Sequence, residues 1–354
     1  TTLGADNGIG VASIMAILAS NSIPHPSIEA LFTIDEETGM TGALGLQGGL
    51  LDAGILLNLD TEDDDELTIG CAGGIDVSAE GEYSQEKITG EVTGLKLSVS
   101  RLTGGHSGMD IYKGRANANK IMNRILIYAS DKFDLKVSIV DGGGLRNAIP
   151  RESIAILAIA ANETNAFLSF VKTEEQIIKN EFHSTDPDLK IEIEKNTTPE
   201  WVMNTNIQKK LLRTLAACPN GIYRMSPDID GLVQTSNNLA RVLVKDGSFT
   251  ILCLTRGSVD SEKMELAKNI CYNFELAGAT PVFGGSYPGW APKPDAPIVN
   301  LMSNLYKEMF NASAKVNAVH AGLECGILGT NYPTMQMISF GPNIRGAHSP
   351  DEKV

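Results

Sequence analysis

Residues 31–40 read "LFTIDEETGM", and the fold turns on how that stretch is interpreted. Leu31, Phe32, Thr33 and Ile34 make a short apolar run of the kind that forms a strand buried on both faces. It gives way to Asp35, Glu36 and Glu37, three acids side by side. Adjacent carboxylates repel, so at the edge of a packed core they call for a partner of opposite sign. The same pattern recurs elsewhere. "SIEALFTID" (27–35) and "AGILLNLD" (53–60) are apolar runs ending in an acid, and "PTMQMISFGP" (333–342) leads into the loop "NIRGAHSPDE" (343–352). The apolar segment "IGVASIMAILAS" (9–20) has the composition of a helix that starts just after the "ADNG" turn. Strands without polar alternation, separated by a helix, predict an α/β fold with a mainly parallel sheet covered by helices. In such sheets sites collect at the carboxyl ends of strands.

The 354 residues suffice for two domains, or for one domain with a large insertion. A hydrophobic fraction of 42% and a charged fraction of 20% are those of a globular protein. The formal charge of -14 has no basic stripe to offset it, which argues against a nucleic-acid or anionic-membrane partner. No run reaches the length of a membrane helix. The five cysteines are scattered and never form Cys-x-x-Cys, so a reducing, cytoplasmic setting is expected and a thiolate metal site is not. Because the chain opens without Met inside a Gly-rich loop, it reads as an internal fragment.

Between residues 75 and 286 the strands alternate more. "GGLRNAIPRESIAILAIA" (143–160) and "TSNNLARVLVKDGSFTILCLTRG" (235–257) each suggest an Asn in a loop, a strand, a turn and a second strand, with helical segments around them. This predicts an inserted α+β domain of two similar, ferredoxin-like halves. The expected division is 1–74 with 287–354 as the catalytic, metal-binding part, and 75–286 as an inserted lid.

Asp6 in "GADNG", the Glu36–Glu37 pair, Asp60 and His348 all fall where a strand is expected to yield to a loop. Hard carboxylates with imidazole and no thiolate suit zinc, cobalt or manganese. Several acids at one sheet edge are mutually unfavourable without cations, and two divalent ions sharing a bridging carboxylate and a water resolve the conflict. One glutamate of the pair then binds metal while its neighbour serves as general base. Singly, each residue also has an ordinary reading: Asp6 as a turn residue, the Glu pair as solvated surface, and "DTEDDDE" (60–66) as an acidic loop. His106, in the glycine-rich "GGHSG", lies where backbone approaches a ligand closely. Arg256 suits a carboxylate, or a plain surface position. "HAGLECG" (320–326) reads as bordering the site, while His25 and His183 read as exposed and silent.

The blocks "TTLGADNGIG", "DEETGM", "GCAGGID", "GGHSG", "LRNAIPRE", "HAGLECG" and "GPNIRGAHSPDE" resemble the aminoacyl-histidine dipeptidase family, within the co-catalytic zinc aminopeptidases and carboxypeptidases. The resemblance implies hydrolysis of dipeptides, Xaa-His among them, by two divalent ions, zinc first. It implies Asp6 as the bridging ligand, Glu37 and His348 on one metal, Asp60 on the other, and Glu36 as general base. His106 would support the carbonyl oxygen as it turns negative, with Arg256 and Asn238 on the substrate carboxylate. It also implies a possible homodimer, leaving open whether His106 serves its own site or a partner's. A related carboxypeptidase or deacylase, or a silent peptide-binding relative, is the alternative. The pattern further requires a His-x-Asp pair that none of the five histidines supplies. It would precede Thr1, which leaves the activity of the fragment by itself open.

Overall fold

The computed structural model of the chain describes residues 3–347 and 349–354, the side chain of Thr38 aside. Two sheets carry the architecture. The smaller contains β1 (Ile55–Asn58), β2 (Glu66–Cys71), β16 (Lys315–Val319) and β17 (Gln336–Ser339), in the order β1-β17-β2-β16. β1 with β17 and β2 with β16 run parallel, while β17 meets β2 antiparallel at Ser339 and Thr68. The sheet is therefore mixed. Leu67, Ile69 and Ile338 pack against Ile298 and Val299 of the helix Pro297–Phe310, which follows from apolar strands that need a helix to cover them.

The larger sheet is antiparallel. Its strands are β3 (Gly73–Glu82), β5 (Val92–Ser100), β7 (Leu135–Gly143), β9 (Ser153–Ala160), β10 (Lys190–Lys195), β12 (Gly221–Met225), β13 (Val233–Lys245), β14 (Ser248–Gly257) and β15 (Thr280–Tyr287). The main path runs β10-β5-β9-β7-β13-β14-β3-β15, with β12 beside β13. Short pairs join β4 (Gln85–Lys87) to β11 (Trp201–Met203) and β6 (Gly105–His106) to β8 (Ala148–Ile149). The helices Ala118–Ser130, Thr164–Glu181, Thr205–Ala217 and Asp260–Leu276 pack on this sheet, the first touching both the second and the third, and the third touching the fourth. Between them lies the largest core, with Phe167, Phe274, Leu97, Leu157 and Ile251 fully buried. The chain crosses between the two sheets at Gly73, where a Cβ would stand 2.4 Å from the Gly289 nitrogen. Only glycine permits that approach.

One expected element is missing. The run 27–34 forms no strand with any described residue, and Phe32 and Ile34 are 50% and 75% exposed. Composition favours an extended backbone, but a strand exists only when a neighbour completes its ladder. The acids that follow sit on a turn instead. Asp35 takes a left-handed conformation (φ 62°), and Glu36 and Glu37 open the short helix α2 (Glu36–Gly39). Asp tolerates that region because its side chain bonds locally, here accepting from Thr41 Oγ1 at 2.7 Å. Gly42 folds back onto Ile34 and donates to its carbonyl at 3.1 Å.

Candidate active site

The acids come from four separate pieces of backbone. Asp6 lies in the first turn of α1 (Ala5–Ala19), next to a cis peptide with Asn7. Its loop is held by Glu352, whose carboxylate accepts from the Gly4 nitrogen at 2.8 Å and the Asp6 nitrogen at 3.1 Å. These and neighbouring N–H groups keep the Glu352 carboxyl below its usual range. Glu36 and Glu37 are carried by α2. Asp60 stands two residues beyond β1, and Asn7 Nδ2 reaches its Oδ1 at 3.5 Å. Glu324 starts the helix Glu324–Asn331, takes a 2.7 Å bond from Thr33 Oγ1 on one oxygen, and has a second oxygen buried without a partner among the described residues.

The electrostatics of Asp60 show how closely these acids converge. Burial, then Glu36, Asp6, Glu324 and Glu37 in that order, push its carboxyl from 3.8 up to about 8. Four acids thus act on the fifth, Asp60. Among the described residues no three Asp, Glu, His or Cys side chains close into a metal-binding group, and His348 lies outside the described residues. A hard-oxygen donor set whose central carboxylate is driven towards neutrality by its neighbours fits divalent cations, which would reverse that effect.

The second feature is a pair of donors. His106, on β6, has Nδ1 accepting from the Gly108 and Met109 nitrogens at 3.2 and 3.0 Å. The network therefore assigns the proton to Nε2. Arg256 Nη2 lies 3.4 Å from that Nε2, while Nη1 donates to Tyr287 Oη at 2.8 Å. Two donors face each other. Such a contact is relieved when acceptor oxygens bind at the pair. Burial, then the Arg256 charge, lowers the His106 pKa, against the pull of Asp110. The imidazole is thus a neutral donor.

The loop 319–324 ties the acids to the donors. Its Gly322 leaves room for Met40 Cε, which a Cβ would meet at 2.8 Å, and for the Tyr287 ring at 3.1 Å. Met40 caps α2 and Tyr287 holds Arg256. Asn238 is placed differently. It is buried on β13 with its amide hydrogens committed to the Arg146 and Ala148 carbonyls at 3.0 and 2.8 Å. It fixes the 146–148 loop rather than presenting a donor to the donor pair. Tyr287, Ser107, Asn7 and Glu324 were not singled out from sequence as site residues in their own right. Glu324 does lie in the block 320–326, whose polar groups the sequence reads as bordering the site. His25 and His183 bond to local carbonyls on the surface.

Comparison with known proteins matches residues 4–354 to the model of peptidase family M20/M25/M40. The chain belongs to that family. It is 41% identical, over all 354 residues and 73% of the relative, to the cytosol non-specific dipeptidase of Escherichia coli K12. It is similar to the crystal structure of aminoacylhistidine dipeptidase from Vibrio alginolyticus, with 42% identity, a TM-score of 0.95, and coverage of 100% of this chain and 72% of that one. Membership in this family makes the chain a metal-dependent hydrolase of peptides. Among the described residues no helix is long and apolar enough to cross a membrane, and all five cysteines are unpaired.

Proposed function

We propose that this member of the M20 peptidases hydrolyses dipeptides with a free carboxyl terminus, in the cytosol. The observation that carries the reading is the 3.4 Å between His106 Nε2 and Arg256 Nη2. Two oxygens bound there must be close neighbours. In a dipeptide the scissile carbonyl oxygen and the terminal carboxylate are separated by a single residue, so both reach the pair at once. A longer C-terminal extension would carry its carboxylate away from Arg256.

In this reading Asp6, Glu37, Asp60 and His348 hold two divalent cations, zinc first. When bound, these supply the positive charge that polarises the carbonyl and makes water acidic enough to attack near neutral pH. Glu36 takes the proton of the attacking water and passes it to the leaving amine. His106 donates from Nε2 to the carbonyl oxygen as charge develops. Arg256, held by Tyr287, orients the substrate through its carboxylate. Residues 75–286 act as a lid bringing these donors over the acids of 1–74 and 287–354. Asn238 supports that lid from within.

The test joins metal analysis to a substrate panel of free dipeptides (Xaa-His included), dipeptide amides and N-acylated amino acids. Preferential turnover of free dipeptides with about two metals per chain is expected. Equal turnover of the amides would remove Arg256 from carboxylate recognition.

A further inference from the structure

His320 is buried, yet it belongs to neither the acids nor the donor pair. It ends the segment that continues β16, so it is delivered from the smaller sheet, and its ring lies against residues of the larger one. Three contacts define its place. Its Nε2 is 2.7 Å from Ser236 Oγ on β13, and Ser236 is the cross-strand neighbour of Arg256. Its carbonyl oxygen lies where a Cβ on Gly108 would come within 2.1 Å. The Gly108 nitrogen is one of the two that fix the His106 tautomer. The loop itself is pinned from behind, because the Ala72 nitrogen bonds to the Val319 and Ala321 carbonyls at 3.1 and 2.9 Å. Ring and carbonyl of one residue thus touch the supports of both donors.

We propose that His320 is a positioning residue that seats the His106 loop and Arg256 so that the two donors stay side by side, His106 towards the carbonyl oxygen and Arg256 towards the carboxylate. The assignment deepens the dipeptidase reading and rests on it for its catalytic consequence. The geometric claim stands apart from it. A cation at this point would face Arg256, and burial, with Arg256 next, pushes the imidazole down to about 3. The ring therefore supplies shape and hydrogen bonding rather than charge. Its buried Nδ1 makes no hydrogen bond of good geometry among the described residues, and the Val233 backbone is the one polar influence that favours a proton on the ring. Gly108 is required beside it, since a methyl group would strike the His320 carbonyl.

The experiment uses histidine-selective 15N labelling of the whole chain to read the tautomer of His106, together with kcat and KM on a free dipeptide. His320→Ala is expected to turn the pure Nε2–H signal of His106 into an exchanging mixture and to lower kcat/KM by about tenfold to a hundredfold, the scale of a misplacement near 1 Å. His320→Gln, whose amide can still reach Ser236, is expected to restore the tautomer and most of the rate. If His320→Ala fails to fold, Ser236→Ala removes the partner alone and should shift both readouts in the same direction. A His106 tautomer and kcat/KM unchanged in these variants would overturn the proposal. Absence of dipeptide turnover in the unmodified chain would instead remove the functional reading, leaving the tautomer measurement to decide the geometric one.

Discussion

Stripping divalent metal from the chain and following its unfolding by urea from pH 4 to 9 exposes the conflict among the acids. Asp60 is raised from 3.8 to about 8 in the folded chain. Between those values the native state holds a proton that the unfolded chain has released, so stability is greatest at low pH and falls as pH rises through the interval. The slope is about 1.4 kcal/mol per pH unit. Between pH 5 and 7 the metal-free chain should lose about 3 kcal/mol from this source, on top of any trend common to all its carboxylates. Above about pH 8 the effect saturates. Asp60→Asn puts a neutral amide of nearly the same shape at the same point, so its curve should lack the extra slope and lie above the metal-free parent at pH 8. Zinc should reverse the order by binding the folded parent more tightly than the variant. Parallel pH curves for parent and Asp60→Asn without metal would refute the claim that the acids converge on Asp60.

Further outcomes follow from the same geometry. Glu36→Gln should retain metal by direct analysis yet lose about 10²–10⁴ in turnover, the usual worth of a positioned base. His106→Ala should lower kcat by about 10²–10³, as for removal of one oxyanion donor, with circular dichroism unchanged. Arg256→Met should raise KM for free dipeptides while leaving dipeptide amides nearly unaffected, read by steady-state kinetics on both. Asn117→Ala removes a helix cap that accepts from the Asn119 and Lys120 nitrogens at 2.9 and 3.2 Å. It also strips bonds to Asn220 and the Leu239 carbonyl. A loss of about 2–4 kcal/mol in urea unfolding is expected.

Much of the chemistry is written locally. Acid pairs beside apolar runs, thiols outside any Cys-x-x-Cys pair and a glycine-bounded histidine are properties of neighbouring residues, so composition and spacing suffice to suggest hard-cation chemistry. The helices 164–181 and 260–276 were legible for the same reason, since a periodic apolar face is a short-range signal. The strand expected at 31–34 was not, because its composition asks for an extended backbone while the ladder that defines a strand depends on what lies beside it. Asn238 shows the same limit from the other side. The family resemblance implies a place on the substrate carboxylate, while its burial commits the amide to the 146–148 loop.

By itself, then, the amino-acid order determined which side chains are able to do hydrolytic chemistry and where apolar surface must be hidden. Tertiary structure alone decided which of them meet. His106 and Arg256 are 150 positions apart, and Ser236 and His320 are 84. Contacts at such separations arise when strands pair and sheets pack so that distant loops meet in one place, and no periodicity of 2 or 3.6 residues encodes which ones meet.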